Sequence, residues 1–283
     1  MPQPTTAFIG AGKMATALAK GFVSAGLLRS ESIVASDPSG DALAAFREAI
    51  GQTPPPPEAA PPSNADAARG TELIVLAVKP QHLPAVLAEI GPAAPADALF
   101  MSIAAGVPIR RIAAGLPAGA RVVRVMPNTP CLIGRGASAY SLGQHATPAD
   151  AERVGRLLRS VGAAHQTPEN LLDAVTGVSG SGPAFVYTVV EALADAGVRA
   201  GLPAAVAADL AASTVAGAGQ MVLQTGRHPA VLRGEVTSPG GTTAAGLAEL
   251  ERHGLRHAVA EAVAAAAARS AELGAASESR PDS

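Results

Sequence analysis

The chain has 283 residues, 48% of them hydrophobic, 16% charged and 2% aromatic; this length fits one large or two ordinary domains, and the apolar share is too high for disorder. A formal net charge of −2 argues against nucleic acid or an anionic membrane as partner. Cys131, the single cysteine, excludes an intramolecular disulfide or a cysteine metal cluster and suits a reducing compartment. No uncharged apolar run reaches the roughly 20 residues of a membrane span. The opening MPQPTTAFIGAG lacks a basic stretch followed by an apolar one, so a cytoplasmic location is expected.

The first half alternates short apolar runs with helical patterns. Residues 6–9 form a run that ends at glycine, and residues 14–25 place apolar side chains at helical spacing. Further strands are predicted at 32–36, 73–78, 99–104 and 121–125, with helices at 41–50, 83–90 and 109–114. Because LIVLAV at 73–78 shows no polar alternation, it fits a strand covered on both faces. This order predicts an α/β fold, a parallel doubly wound sheet of Rossmann type over residues 1–166. The proline-rich stretch 53–63 reads as a stiff exposed loop, with a PxxP ligand as the alternative. From 167 to 274 only helices are expected, at 169–176, 183–200, 203–225 and 243–273. PAFVYTVVEALADAG is apolar nearly all round, which predicts burial against a second copy of the chain. Residues 275–283 read as a flexible tail.

Gly10-Ala11-Gly12-Lys13-Met14-Ala15 is a GxGxxA string between a strand and a helix. Its glycines allow a tight turn and close approach of backbone to a pyrophosphate. Asp37 follows the second strand, where a carboxylate hydrogen-bonds the adenosine ribose and repels a 2′-phosphate. That gives a lean towards NADH over NADPH, although Asp37 also suits the start of an Asp-Pro-Ser-Gly turn. Lys79, at the end of a buried strand, either faces the ligand edge or caps a helix on the surface. Thr237-Ser238-Pro239-Gly240-Gly241-Thr242-Thr243 reads as a nest of backbone N–H groups for a small anion, as an N-cap turn, or as both. The six histidines show no ligand spacing beyond His253 and His257, so no metal site is expected. Ser179 and Ser181 lack the strand-and-glycine setting of a nucleophile elbow.

The strings FIGAGKMATAL, AVKPQ, SIAAGV, RVMPNTP, AVTGVSGSGPAF and VTSPGGTTAAGLAELE run in order from residue 8 to 251. Together they resemble the pyrroline-5-carboxylate reductase family. The resemblance implies a Rossmann-type domain followed by an all-helical dimerisation domain, with homodimers that in some members assemble into decamers. It implies reduction of a cyclic imino acid, 1-pyrroline-5-carboxylate, to L-proline by NAD(P)H. Carried over, cofactor contacts fall on Ile9, Gly10, Ala11, Gly12, Lys13, Met14, Asp37, Asn64, Ala77, Val78, Lys79, Pro80, Ile103, Ala104 and Ala105. Substrate contacts fall on Glu169, Glu235, Ser238, Gly240, Gly241, Thr242 and Thr243, with the Thr243 hydroxyl at the ring nitrogen as the catalytic group. Lysine occurs only at Lys13, Lys20 and Lys79. The lysine acid that β-hydroxyacid dehydrogenases take from their helical domain is therefore missing, and a nucleotide sensor would not need the SPGGTT nest.

Overall fold

The computed structural model describes residues 5–53 and 60–278. Most of the expected proline-rich loop, and residues 279–283 of the expected tail, lie outside them. The chain forms two compact units: residues up to Ser181 together with Ala265 onward, and Gly182–Ala264.

The first unit is built on seven strands, β1 (Thr6–Ile9), β2 (Ile33–Ser36), β3 (Leu73–Leu76), β4 (Leu99–Ser102), β5 (Arg121–Met126), β6 (Gly136–Leu142) and β7 (Gly162–Gln166). Their order is β2-β1-β3-β4-β5-β6-β7. The sheet is parallel from β2 to β5, with Ile9 level with Ser36 and Leu76, and β5 pairs antiparallel with β6. The expected parallel sheet thus holds for its first five strands. The reversal at β6, and the presence of β6 and β7 at all, were not anticipated, because GASAYSL and GAAHQ are too small and polar to stand out as strands.

Helices α1 (Lys13–Ser24), α2 (Gly40–Ala49), α3 (Asn64–Ala68), α4 (Leu83–Ile90), α5 (Ile109–Ala114) and α6 (Pro148–Arg159) cover both faces of the sheet. Side chains alternate along each strand, so Phe8, Leu73, Val75, Met101 and Val123 join one core with residues of α1, α2 and α6. Ile9, Ile74, Leu76, Phe100 and Val122 join another with α3, α4 and α5. Each such burial stabilises by about 1.5–3 kcal/mol. Phe8 and Phe46 add a tilted ring pair with centroids 5.3 Å apart, worth about 0.5–1.5 kcal/mol. A short α7 (Leu172–Val175) and a wider π-helical turn over 176–180 close this part of the chain.

The second unit holds α8 (Gly182–Arg199), α9 (Ala204–Thr225), α10 (Pro229–Glu235), α11 (Thr242–Arg252) and the first part of α12 (Leu255–Glu278). The single helix expected over 243–273 is two. Gly254, at φ +69, takes a left-handed conformation that breaks it. His253 caps the end of α11 while His257 lies in α12, so the two do not share one helix. α8 and α9 pack as a hairpin, with Gly197 against Ala207. Ala207 and Ala211 are buried, whereas Tyr187, Leu193, Leu210 and Leu223 are exposed, the last at 76%. α9 is long and apolar enough by composition to cross a membrane, with a mean hydropathy of 1.3, although Asp209 interrupts it.

Candidate active site

In an open α/β sheet, ligands lie beyond the carboxyl ends of the strands, where strand order reverses. Here β1 pairs with β2 on one side and β3 on the other, which puts that switch between β1 and β3. Four of the five segments expected to meet a cofactor follow β2, β1, β3 and β4, four adjacent strands, and so share one edge; the fifth, Asn64, starts α3.

Gly10 is fixed by geometry. Its φ is +99, and a Cβ there would stand 2.7 Å from the Ala77 carbonyl oxygen, so the fingerprint turn and the end of β3 approach backbone to backbone. Gly12 is the N-cap of α1 with an ordinary φ of −69 and no side-chain cap. A Cβ on Gly12 would meet no protein atom within 4 Å. Open space in front of uncapped helix N–H groups is the cradle a pyrophosphate needs. Asp37 Oδ2 accepts the Ala11 N–H at 2.8 Å and Oδ1 accepts the Ser39 N–H at 2.8 Å. The carboxylate therefore braces the fingerprint turn and also forms the expected Asp turn.

Asn64 starts α3, accepts from Ser36 Oγ at 2.8 Å and donates to Glu89 Oε2 at 2.7 Å. Its amide is thereby oriented by a carboxylate that the sequence did not single out. Lys79 is exposed beyond β3. Ile103, Ala104 and Ala105 follow β4, where Ser102 Oγ accepts the Ala104 N–H at 3.3 Å.

Glu169 lies in the first unit too. Its Oε1 accepts the Ile109 N–H at 2.6 Å and pairs with Arg124 Nη1 at 3.2 Å; it also borders a cleft of 540 Å³ along α5. Arg124 is 7% exposed in mid-strand. A charge that deep needs partners, since removing one costs about 3–5 kcal/mol. The signal was present as the second arginine of RVVRVM, flanked on both sides by valines. Asn128 was also missed: it donates to the Ser179 carbonyl at 3.0 Å and accepts the Ala137 N–H at 2.8 Å, tying the RVMPNTP segment to GVSGSG.

The second unit carries the remaining residues. Ser238, Gly240, Gly241, Thr242 and Thr243 form one turn, in which the Gly241 N–H bonds the Ser238 carbonyl at 3.0 Å. A side chain on Gly241 would collide with Ser238 Oγ. α11 begins at Thr242 with Gly241 as N-cap and no side-chain cap. Thr242 and Thr243 stand inside the helix rather than capping it, and its first N–H groups remain free for an anion. Glu235 ends α10, and both its oxygens accept from Arg227, one at 2.9 Å. This hydrogen bond, ahead of simple charge attraction, holds the Glu235 carboxyl below its usual range.

Known proteins resemble the chain over nearly all of its length. A family model described as pyrroline-5-carboxylate reductase dimerisation matches residues 169–273, and one described as NADP oxidoreductase, coenzyme F420-dependent, matches residues 5–106. A pyrroline-5-carboxylate reductase of Pisum sativum is 45% identical over 271 residues, covering 95% of this chain and 96% of its own. That of Methanosarcina acetivorans is 43% identical over 94% of this chain and 97% of its own. The chain belongs to the pyrroline-5-carboxylate reductase family. Among solved structures of the family, the Plasmodium falciparum enzyme with NADP bound superposes with a TM-score of 0.84 at 33% identity, covering 97% of this chain and 99% of that one. The Coxiella burnetii enzyme gives a TM-score of 0.87 at 32% identity, covering 96% and 98%.

Proposed function

We propose that this chain reduces 1-pyrroline-5-carboxylate to L-proline with NAD(P)H, the last step of proline biosynthesis. The observation that carries this function is the uncapped start of α11 behind Ser238–Gly241, in a family member whose first unit keeps the glycine cradle at Gly12. Gly10 to Met14 would hold the pyrophosphate, Asp37 and Asn64 the adenosine side, and Ala77–Pro80 with Ile103–Ala105 the nicotinamide side. Bound there, the cofactor supplies a hydride. The backbone N–H groups of Thr242 and Thr243, with the Ser238 hydroxyl, hold the substrate carboxylate. The Thr243 hydroxyl, half-buried, faces the ring nitrogen and keeps its proton oriented. An imine protonated on nitrogen accepts hydride at carbon without a strong acid, so positioning supplies most of the catalysis. No lysine beyond Lys79 is needed.

A fixed carboxylate at Asp37 supports NADH over NADPH. The exposed apolar faces of α8 and α9 support a homodimer formed through the second unit. The test follows loss of dihydronicotinamide absorbance on adding pyrroline-5-carboxylate, with NADH and NADPH in separate assays. Turnover is expected with both and faster with NADH. Folded protein that binds nucleotide yet turns over with neither would refute the assignment.

A further inference from the structure

Asp37 fixes the adenosine side beyond β2 and Gly12 fixes the pyrophosphate beyond β1, so the other half of a dinucleotide runs beyond β3 and β4, onto the loop 103–108. Two groups grip that loop. In its middle, Gly106 (φ +73) lies against the last helix of the chain: a Cβ on Gly274 would stand 2.9 Å from the Gly106 carbonyl oxygen. At its end, the Ile109 N–H is held by Glu169 at 2.6 Å.

Both grips lead back to one face of α12. Ser270 precedes Gly274 by one helical turn and so shares its face. It is 5% exposed and donates to Asp173 Oδ1 at 2.6 Å. Asp173 lies 4.0 Å from Arg124 Nη2, and Arg124 Nη1 lies 3.2 Å from Glu169 Oε1. All of these groups belong to the first unit. The Glu169 oxygen that meets Arg124 is also the one that holds Ile109.

We propose that Gly274, directly against Gly106, and Ser270, working through Asp173, Arg124 and Glu169, are positioning residues that set the 103–108 loop against the nicotinamide half of the cofactor. Hydride transfer requires the reacting carbons about 3–3.5 Å apart and aligned, so a loop displaced by a fraction of an ångström loses rate before it loses structure. The inference rests on the cofactor assignment above. It gives Glu169 a role through Ile109 rather than through the substrate.

The test uses the full chain and the variants Gly274→Ala, Ser270→Ala and Glu169→Gln. Alanine favours a helix over glycine, so Gly274→Ala disturbs the Gly106 carbonyl and not α12 itself. Isothermal titration compares NADH with ADP-ribose, which lacks the nicotinamide. The expected result is an NADH Kd raised about tenfold and a kcat lowered about tenfold, with the Kd for ADP-ribose and the KM for pyrroline-5-carboxylate within about twofold of wild type. Equal weakening of both nucleotides, no weakening of either, or a Glu169→Gln effect confined to the substrate KM would overturn the proposal. Should one variant not fold, the other two decide by the same measurement. The titrations do not use the substrate. Wild-type protein that binds NADH but does not reduce pyrroline-5-carboxylate would sink the enzymatic assignment while still judging the loop.

Discussion

Replacing Gly12 by alanine separates the seat of the cofactor from the stability of the fold. The new Cβ meets no protein atom within 4 Å, and φ is −69, so the backbone has no reason to move. Two small terms oppose each other in the ligand-free protein. Alanine is a poorer N-cap than glycine by up to about 1 kcal/mol, and it restricts the unfolded chain by about 0.4–1 kcal/mol. Near cancellation predicts a Tm within about 2 °C of wild type. NADH at a hundred times its Kd stabilises wild type by about 2.7 kcal/mol, a rise of roughly 5–10 °C for a chain of this size. A methyl group in the pyrophosphate cradle displaces the ligand by about 1 Å, and a loss of about a hundredfold in affinity removes nearly all of that rise. Thermal unfolding with and without NADH reads both numbers. A Gly12→Ala protein that keeps the full NADH-induced shift would refute the cradle. Gly10→Ala is the contrast: at φ +99 and 2.7 Å from the Ala77 carbonyl oxygen, it should lose about 2–4 kcal/mol without any ligand.

Thr243→Ala should lower turnover about 10–100-fold with the fold intact; steady-state kinetics at saturating cofactor would check this, and unchanged kcat and KM would exclude a role for the hydroxyl. Glutamate at both Leu193 and Leu210, which are exposed on α8 and α9, should convert dimers to monomers in sedimentation or light scattering. Burial pushes the Cys131 thiol above its ordinary value of 9.0, more than the Asn128 and Ser138 contacts lower it. The thiol should therefore alkylate slowly at pH 8 in the native protein and rapidly once unfolded. A raised folded pKa contributes stability below the ordinary thiol value and loses it as pH rises through the folded one. Tm should thus fall on the alkaline side, and Cys131→Ala should remove that part of the slope.

Much of the first unit could be read from the sequence because buried parallel strands are nearly continuous apolar runs, as in LIVL and LFM, and β5 keeps such a run on either side of Arg124. α6, absent from the expected helices, does carry a sequence signal: Thr147-Pro148-Ala149-Asp150 is a capping box, with the Asp150 N–H bonded to Thr147 Oγ1 at 3.2 Å and the Thr147 N–H to Asp150 Oδ2 at 2.8 Å. β6 and β7 were not legible, since their pairing depends on a neighbouring strand and not on their own side chains. Within the site, glycine spacing and strand ends located the cofactor edge. The partners of Glu169, Asn64 and Glu235 lie elsewhere in sequence, so which oxygen is engaged, and by what, is a tertiary fact. The break at Gly254 leaves little trace in the sequence, because alanine-rich flanks favour helix on both sides.

The chain leaves its first unit after Ser181 and returns at Ala265, and this has a consequence for the order in which it is made. Synthesis runs from the N-terminus, and domains usually settle as they emerge. Here the nucleotide-binding unit cannot be finished when its last strand emerges. Ser270 meets Asp173 only after a further 97 residues, once all of α8 to α11 has been translated. A message cut short just after Ala264 would leave the second unit whole, and the damaged part would be the cofactor unit near the beginning of the chain, far in sequence from the missing end.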